Sequence, residues 1–315
     1  MRESIPSNII IKTSYSYTKQ LLSSRYFNSI IDQIMQYIIQ HPNNYENLEI
    51  EAKLGRFEFK GDSVKVLEKI NDIFIIPDSI KTTNNNNKCI FNSGISQKNF
   101  FLIWSALDKE LKLEGSNIEY IKPQTYKDTM FKTTYNATKR KSIIYQDGEP
   151  IKEEIIIKDN KKNINVRNNG LDFRITCSEE KPTEIDPKND QEGIVRDKFR
   201  ISYQLSFFRV DLTISKESNS DEYGYEVEIE LNKLRNQLKG VKKMDQNTQF
   251  TIRTILDRFI QNIMNLYSVL TSEAILNNAK HEEYLNYQLG INKHLPPSEI
   301  QSKFGNYFKN NLTKK

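Results

Sequence analysis

Two periodicities divide the chain. Leu22, Phe27, Ile30, Ile31, Met35, Ile38 and Ile39 recur near helical spacing and predict a helix over residues 21–40, ended by His41-Pro42-Asn43-Asn44. A strand, "NLEIEAKLGRFEF", follows, closed by Lys60-Gly61-Asp62, and then a helical or mixed stretch over 64–76. Phe100, Phe101, Trp104, Leu107 and Leu111 mark an amphipathic helix over 97–113. From about residue 125 to 231 the period changes to two. Strands are predicted at 125–133, 138–145, 151–158, 171–180, 196–205, 207–215 and 225–231. Turn-prone links separate them: "QDGEP", "DNKKN", "RNNG", "KPTEIDPKNDQEG" and "KESNSDEYG". A long helix over 247–276 carries Ile252, Ile255, Phe259, Ile263 and Leu266 on one side. The polar remainder, with Pro296-Pro297, predicts a short helix and a loose tail, and "NNNN" at Asn84 to Asn87 reads as a biased loop. The organisation is thus an N-terminal extension over 1–20, one domain over 21–276 and a tail over 277–315.

Strands in series with short links argue for an antiparallel meander rather than βαβ units. A sheet of about eight strands can close on itself. The expected fold is α+β: a closed, antiparallel, eight-stranded β-barrel with helices packed outside.

The polar faces of these strands are sorted by charge. Glu49, Glu51 and Lys53 alternate with Ile50, Ala52 and Leu54, and Glu226, Glu228 and Glu230 alternate with Val227, Ile229 and Leu231. Arg196, Lys198 and Arg200 share one face, as do Arg209 and Asp211, and as do Arg174, Thr176, Ser178 and Glu180. Any one such strand is an ordinary wetted strand. Side-by-side like charges on a wetted face repel, so surface strands usually mix their signs. Here two strands are acidic at alternate positions and one is basic. If the polar faces point inward, an acidic wall faces a basic one and the apolar faces are left for the helices to cover.

Composition narrows the chemistry. The 315 residues are 37% hydrophobic and 28% charged, and the net charge of +5 leans towards an anionic partner. The two cysteines, Cys89 and Cys177, stand in no metal spacing and suggest a reducing compartment. Three histidines are scattered, no stretch has the length of a membrane span, and "MRESIPSNII" does not read as a signal peptide. No membrane association is expected. Clustered carboxylates without His or Cys suit a hard cation, Mg²⁺ or Mn²⁺, and clustered Arg and Lys suit phosphate oxygens. Together they are the parts needed for phosphoryl transfer to water.

"LEIEAKLG", "RDKFRISY", "RVDLTIS" and "YEVEIELN" resemble, in this order and with similar gaps, the fungal and protozoan type of mRNA 5′-triphosphatase. That family is the triphosphatase (beta) subunit of the mRNA capping apparatus and falls within the triphosphate tunnel metalloenzymes. Paired E-x-E strands identify only the superfamily; R-x-K-x-R-x-S, then R-x-D, then E-x-E-x-E is far more specific. The resemblance implies an eight-stranded tunnel and a hydrolase acting in mRNA processing in the nucleus. It implies Glu49, Glu51 and Glu230 as ligands of Mg²⁺ or Mn²⁺, with Glu226 and Glu228 as supports. It implies Arg196, Lys198 and Arg200 as phosphate contacts, Arg209 and Asp211 as a pair in the tunnel floor, and Asp128 as an acidic support. Lys158 looks like a contact to the γ-phosphate; Arg140 looks like another, with Lys139 and Lys141 competing for that place. "FRITCSEEKP" resembles the strand that positions the attacking water, and parity from Arg174 favours Glu180 over Glu179; Arg174 itself then counts as a substrate contact.

The function so implied is removal of the γ-phosphate from triphosphate-ended nascent RNA, with side activity on nucleoside triphosphates. Expected partners are the RNA, an mRNA guanylyltransferase and a second copy of the chain, although no segment stands out as a docking element. One rival is a tunnel phosphohydrolase for inorganic triphosphate, thiamine triphosphate or ATP. Another is a non-catalytic module that binds RNA or polyphosphate, which would leave the two acidic strands without a purpose.

Overall fold

A computed structural model describes residues 25–41, 45–60, 74–76, 88–134, 137–168, 171–239, 241 and 244–271. Among these described residues, ten strands and four α-helices follow in this order: α1 (Arg25–Gln40), β1 (Leu48–Lys60), β2 (Phe74–Ile75), β3 (Lys88–Ser93), α2 (Gln97–Leu111), β4 (Glu119–Thr133), β5 (Thr138–Gln146), β6 (Glu149–Arg167), β7 (Asp172–Pro182), β8 (Asp190–Gln204), β9 (Arg209–Glu217), β10 (Tyr223–Glu230), α3 (Leu234–Leu238) and α4 (Gln246–Thr271). The expected 1–20 extension, the "NNNN" loop and the tail after 276 lie outside the described residues.

The strands run β10-β9-β8-β4-β5-β6-β7-β1, and β10 pairs with β1 again, so eight antiparallel strands close into a barrel as the alternation predicts. The closing seam is short: Glu51 stands opposite Glu230, Ala52 opposite Ile229 and Lys53 opposite Glu228, and the Leu231 N–H donates to the Ile50 carbonyl at 2.9 Å. Beyond Gly55, β1 leaves the barrel and pairs with β3. A Cβ on Gly55 would lie 2.3 Å from the Asn92 carbonyl oxygen, so only glycine allows the two backbones this close.

Two predicted links differ in outcome. "QDGEP" is a tight hairpin, with Asp147 at φ 55° and Gly148 at φ 89°, the positive-φ pair that matches the twist of the flanking strands. "DNKKN" does not interrupt anything. β6 runs through it as one strand of 19 residues, and the extra residue is absorbed between Asp159, opposite Glu179, and Lys162, opposite Cys177. A bulge keeps the ladder on both sides, so turn-prone residues here bend the strand instead of ending it.

The apolar core lies outside the barrel. Ile50, Ala52, Leu54, Phe173, Ile175, Val210, Leu212, Val227 and Ile229 point outward and are covered by α1, α2 and α4, through Ile30, Ile34, Ile38, Phe100, Ile103, Phe259 and Ile263. Burial of each such side chain contributes about 1.5–3 kcal/mol. Ser96 caps α2 by accepting the Asn99 N–H at 3.2 Å. With its apolar faces turned outward, the barrel interior is left to the charged positions. Among the described residues no helix is long and apolar enough to cross a membrane.

Candidate active site

Strand parity decides which side chains enter the barrel, and they enclose a cavity of about 810 Å³. From β1 and β10 come Glu49, Glu51, Glu226, Glu228 and Glu230; from β8 and β9, Arg196, Lys198, Arg200, Arg209 and Asp211. Asp128 of β4, Arg140 of β5, Lys158 of β6 and Glu180 of β7 complete the set. The structure therefore brings together every expected site residue except Arg174. That side chain lies on the inner side of β7 opposite Lys53, but its Nε donates to Asn165 Oδ1 at 2.8 Å. Its guanidinium rests over the Phe91 and Phe57 rings at 4.7 and 5.8 Å. Parity sets the face of a residue but not its height along the tunnel, and these partners hold Arg174 away from the cavity.

Lys158 is the cation of one acidic corner. Its Nζ lies 2.5 Å from Glu49 Oε2, 3.5 Å from Glu51 Oε1 and 3.4 Å from Glu180 Oε1. Burial lowers the Lys158 ammonium, yet Glu51 and Glu49 outweigh it and raise it above the ordinary lysine value. Ser178 donates to Glu49 Oε2 at 2.9 Å, and Arg140 Nη2 approaches Glu180 Oε1 at 3.3 Å. Neither Lys139 nor Lys141 lines the cavity: Lys139 pairs with Asp190 at 2.8 Å and Lys141 with Glu153 at 2.9 Å. Glu179 points to the outer side, buried and paired with Lys181 at 2.9 Å.

A second set of ion pairs runs along the opposite wall. Lys198 Nζ lies 2.6 Å from Asp128 Oδ2. Burial pulls the Lys198 ammonium down with Asp128 opposing, while Lys198 and then Arg140 hold the Asp128 carboxyl below its usual range despite burial. Arg200 lies 3.3 Å from Asp211 and 3.5 Å from Glu228, and its guanidinium sits over the Tyr126 ring at 5.0 Å. Arg196 pairs with Glu217 at 2.6 Å and reaches Glu226 at 3.6 Å. Asp211 accepts from Arg209 Nε at 2.9 Å and from Ser202 Oγ at 2.6 Å.

Among the residues inside that had no predicted role are Lys53 and Tyr126. Lys53 donates to Glu228 Oε1 at 2.6 Å and lies 3.5 Å from Glu51. Burial acts to depress Glu228's acidity, but Lys53 and Arg200 prevail and hold its carboxyl far below the usual value. Tyr126 lies beneath Arg200. The signal for Lys53 was in the sequence, two positions from Glu51 on the same face; nothing in the sequence marked Tyr126.

The three carboxylates Glu49, Glu51 and Glu230 are the natural place for a hard cation, and the charges around them bear on the fit. Arg209 Nη2 holds Glu230 Oε2 at 2.6 Å. Burial, partly offset by Arg209 and reinforced by Asp211, Glu49 and Glu180, pushes the Glu230 carboxyl up to about 7. Negative charge is thus crowded at this corner, where Lys158 is shared by Glu49, Glu51 and Glu180 and Arg209 is turned to Glu230. Among the described residues no three His, Cys, Asp or Glu side chains close on a point as a finished metal cage, because Lys158 and Arg209 occupy the carboxylates. All-oxygen donors with an unmet need for positive charge suit Mg²⁺ or Mn²⁺.

A family model described as mRNA capping enzyme, beta chain, matches residues 23–272. Among solved structures, S. pombe Pct1 RNA triphosphatase in complex with the Spt5 CTD has a TM-score of 0.60 at 20% identity, covering 76% of this chain and 92% of that one. Pct1 alone gives 0.59 at 20% identity, covering 84% and 98%. The mimivirus capping enzyme triphosphatase gives 0.45 at 16% identity, over 80% and 100%. A search of curated protein sequences found no match. The Pct1 likeness establishes the tunnel fold.

Proposed function

The chain belongs to the mRNA capping enzyme beta chain family, and from that premise we propose that it hydrolyses the 5′-triphosphate end of nascent RNA to a diphosphate end and inorganic phosphate. The observation that supports this most is the sorting of charge around one cavity, with Glu49, Glu51 and Glu230 at one corner and Arg140, Lys158, Arg196, Lys198 and Arg200 around it. Phosphoryl transfer asks little covalent chemistry of a protein. It asks for positioning of the triphosphate and for neutralisation of the charge that builds on the transferring group.

Arg196, Lys198 and Arg200 bind the phosphate chain through charge-assisted hydrogen bonds. Arg140 and Lys158 stand beside Glu180, at 3.3 and 3.4 Å, and converge on the γ-phosphate. Glu180 accepts a hydrogen bond from the attacking water, orients it in line with the bond to the β-phosphate oxygen, and takes its proton as that bond breaks. Asp128 keeps buried Lys198 charged and in place, Glu226 and Glu228 hold Arg196, Arg200 and Lys53, and Asp211 holds Arg209 and Arg200. Glu49, Glu51 and Glu230 would hold Mg²⁺ or Mn²⁺, which supplies further positive charge at the transferring group. The same arrangement accepts nucleoside triphosphates. The diphosphate product is the acceptor for guanylyl transfer, so a guanylyltransferase is the expected partner and the nucleus the expected site.

Release of labelled phosphate from γ-labelled triphosphate RNA, across a titration of Mg²⁺ and Mn²⁺, tests the proposal. Metal-dependent release that leaves a diphosphate end is the expected result. Faster turnover of inorganic triphosphate than of RNA would make the chain a tunnel phosphohydrolase of another kind. RNA binding without phosphate release at any metal concentration would make it a binding module.

A further inference from the structure

The charged wall of the cavity is interrupted by Met130, Ile144 and Ile194, of which Ile144 is buried and Ile194 is exposed. Ile194 is 43% exposed, an apolar side chain open to solvent in a lining that is mostly charged. The ladder beside it is irregular. Thr129 of β4 stands opposite Val195 and Phe131 opposite Glu192, so Gly193 and Ile194 together oppose Met130 alone. β8 therefore carries a bulge here. A Cβ on Gly193 would come within 3.2 Å of the Met130 carbonyl oxygen, so glycine lets the bulge close against β4. Ile194 lies on the cavity side by ordinary alternation, two residues before Arg196.

The position of Ile194 relative to the chemistry follows from neighbouring contacts. Arg140, which lies 3.3 Å from Glu180, is the cross-strand partner of Met130, and Met130 adjoins Ile194 across the bulge. Glu180, Arg140, Met130 and Ile194 thus follow one another around the wall on β7, β5, β4 and β8, with Arg196 beside Ile194 on its own strand. Charged groups explain the grip on phosphates; they give no reason for an exposed isoleucine.

We propose that Ile194 and Met130 form an apolar shelf for the base of the first nucleoside, so that this site distinguishes nucleoside-bearing triphosphates from bare polyphosphate. The inference rests on the proposed phosphohydrolase reading and specifies its substrate class. A nucleobase has a flat apolar face that gains by leaving water against the isoleucine and methionine side chains, while the phosphates reach inward past Arg196. Contact of this kind is indifferent to which base is present, as a reaction on all transcripts requires.

The test is equilibrium binding to the full chain, without added divalent metal, of three probes: inorganic tripolyphosphate, ribose 5-triphosphate lacking a base, and a triphosphate-ended dinucleotide. For Ile194→Ala, affinity for the dinucleotide should fall about three- to tenfold, with the other two unchanged. Ile194→Phe should shift dinucleotide affinity the opposite way, again alone. An equal change for all three probes, or none for any, overturns the shelf while leaving the hydrolase reading standing. A wild-type protein that binds none of the probes, either without metal or with Mg²⁺ added, overturns both.

Discussion

Glu51 and Glu230 face each other across the barrel seam but differ in what surrounds them. Glu51 is approached by Lys53 and Lys158, each of which has a second carboxylate at 2.6 Å or less, in Glu228 and Glu49. Removing Glu51 therefore strands no cation. Glu51→Ala should lower phosphate release about a hundredfold or more, while its circular dichroism and melting temperature stay near wild type; substantial remaining activity would remove Glu51 from the ligand set. Glu230 is the strained member. The unfolded chain ionises it near the ordinary 4.5, whereas the folded protein resists ionisation until about pH 7. An acid whose pKa is raised by folding costs stability as pH climbs through that window, and the full cost is present above it, here on the order of 3 kcal/mol at most. In metal-free protein, Glu230→Gln should raise the melting temperature relative to wild type at pH 8 and give no such gain at pH 4. A gain of equal size at both pH values would refute the assignment.

At the scale of elements, the helices contribute stability and the strands contribute chemistry. Phe259 of α4 is fully buried against the barrel, while Phe250 of the same helix is 73% exposed. Phe259→Ala should cost about 3–5 kcal/mol and lower the denaturation midpoint sharply, with Phe250→Ala within about 0.5 kcal/mol of wild type; urea titrations of the two variants measure both. What the sequence revealed of these elements follows the physics of each. Alternation was legible wherever one side of a strand meets the helices, as in "RVDLTIS" and "YEVEIEL", because burial enforces it. The ends were less so. β4 starts at Glu119 and β8 at Asp190, before their alternation becomes clean, since their own first residues are largely exposed and burial does not enforce a period of two there. The continuity of β6 was hidden because a bulge uses the same polar residues as a turn. The inner or outer assignment of Glu180 and Glu179 was legible from parity, whereas the displacement of Arg174 was not. It depends on Phe91 of β3, a strand that no pattern in the sequence predicted.

For the whole molecule the seam between β1 and β10 matters most. It has three paired positions, while every other barrel seam has eight or more. Its acidic residues repel across it, so divalent cation binding should tighten it. Amide exchange at Leu231, which donates to Ile50 across the junction, should slow on addition of Mn²⁺ or Mg²⁺, with the β4–β5 amides unaffected. Uniform slowing, or none, would mean that the cation does not bridge the seam. Pairing the first barrel strand with the last also gives the protein a high contact order and a slow final folding step.

That closure sets an order of events during translation. When the ribosome has finished β9, the nascent chain already carries Lys53, Arg140, Lys158, Arg196, Lys198, Arg200 and Arg209, but only Glu49 and Glu51 of the acidic wall. The basic side chains of the cavity are then all made except Arg235, and the carboxylates of Tyr223–Glu230 are still to come. A transcript truncated before that strand would encode a product that lacks Glu226, Glu228 and Glu230 and has an open sheet in place of a closed barrel.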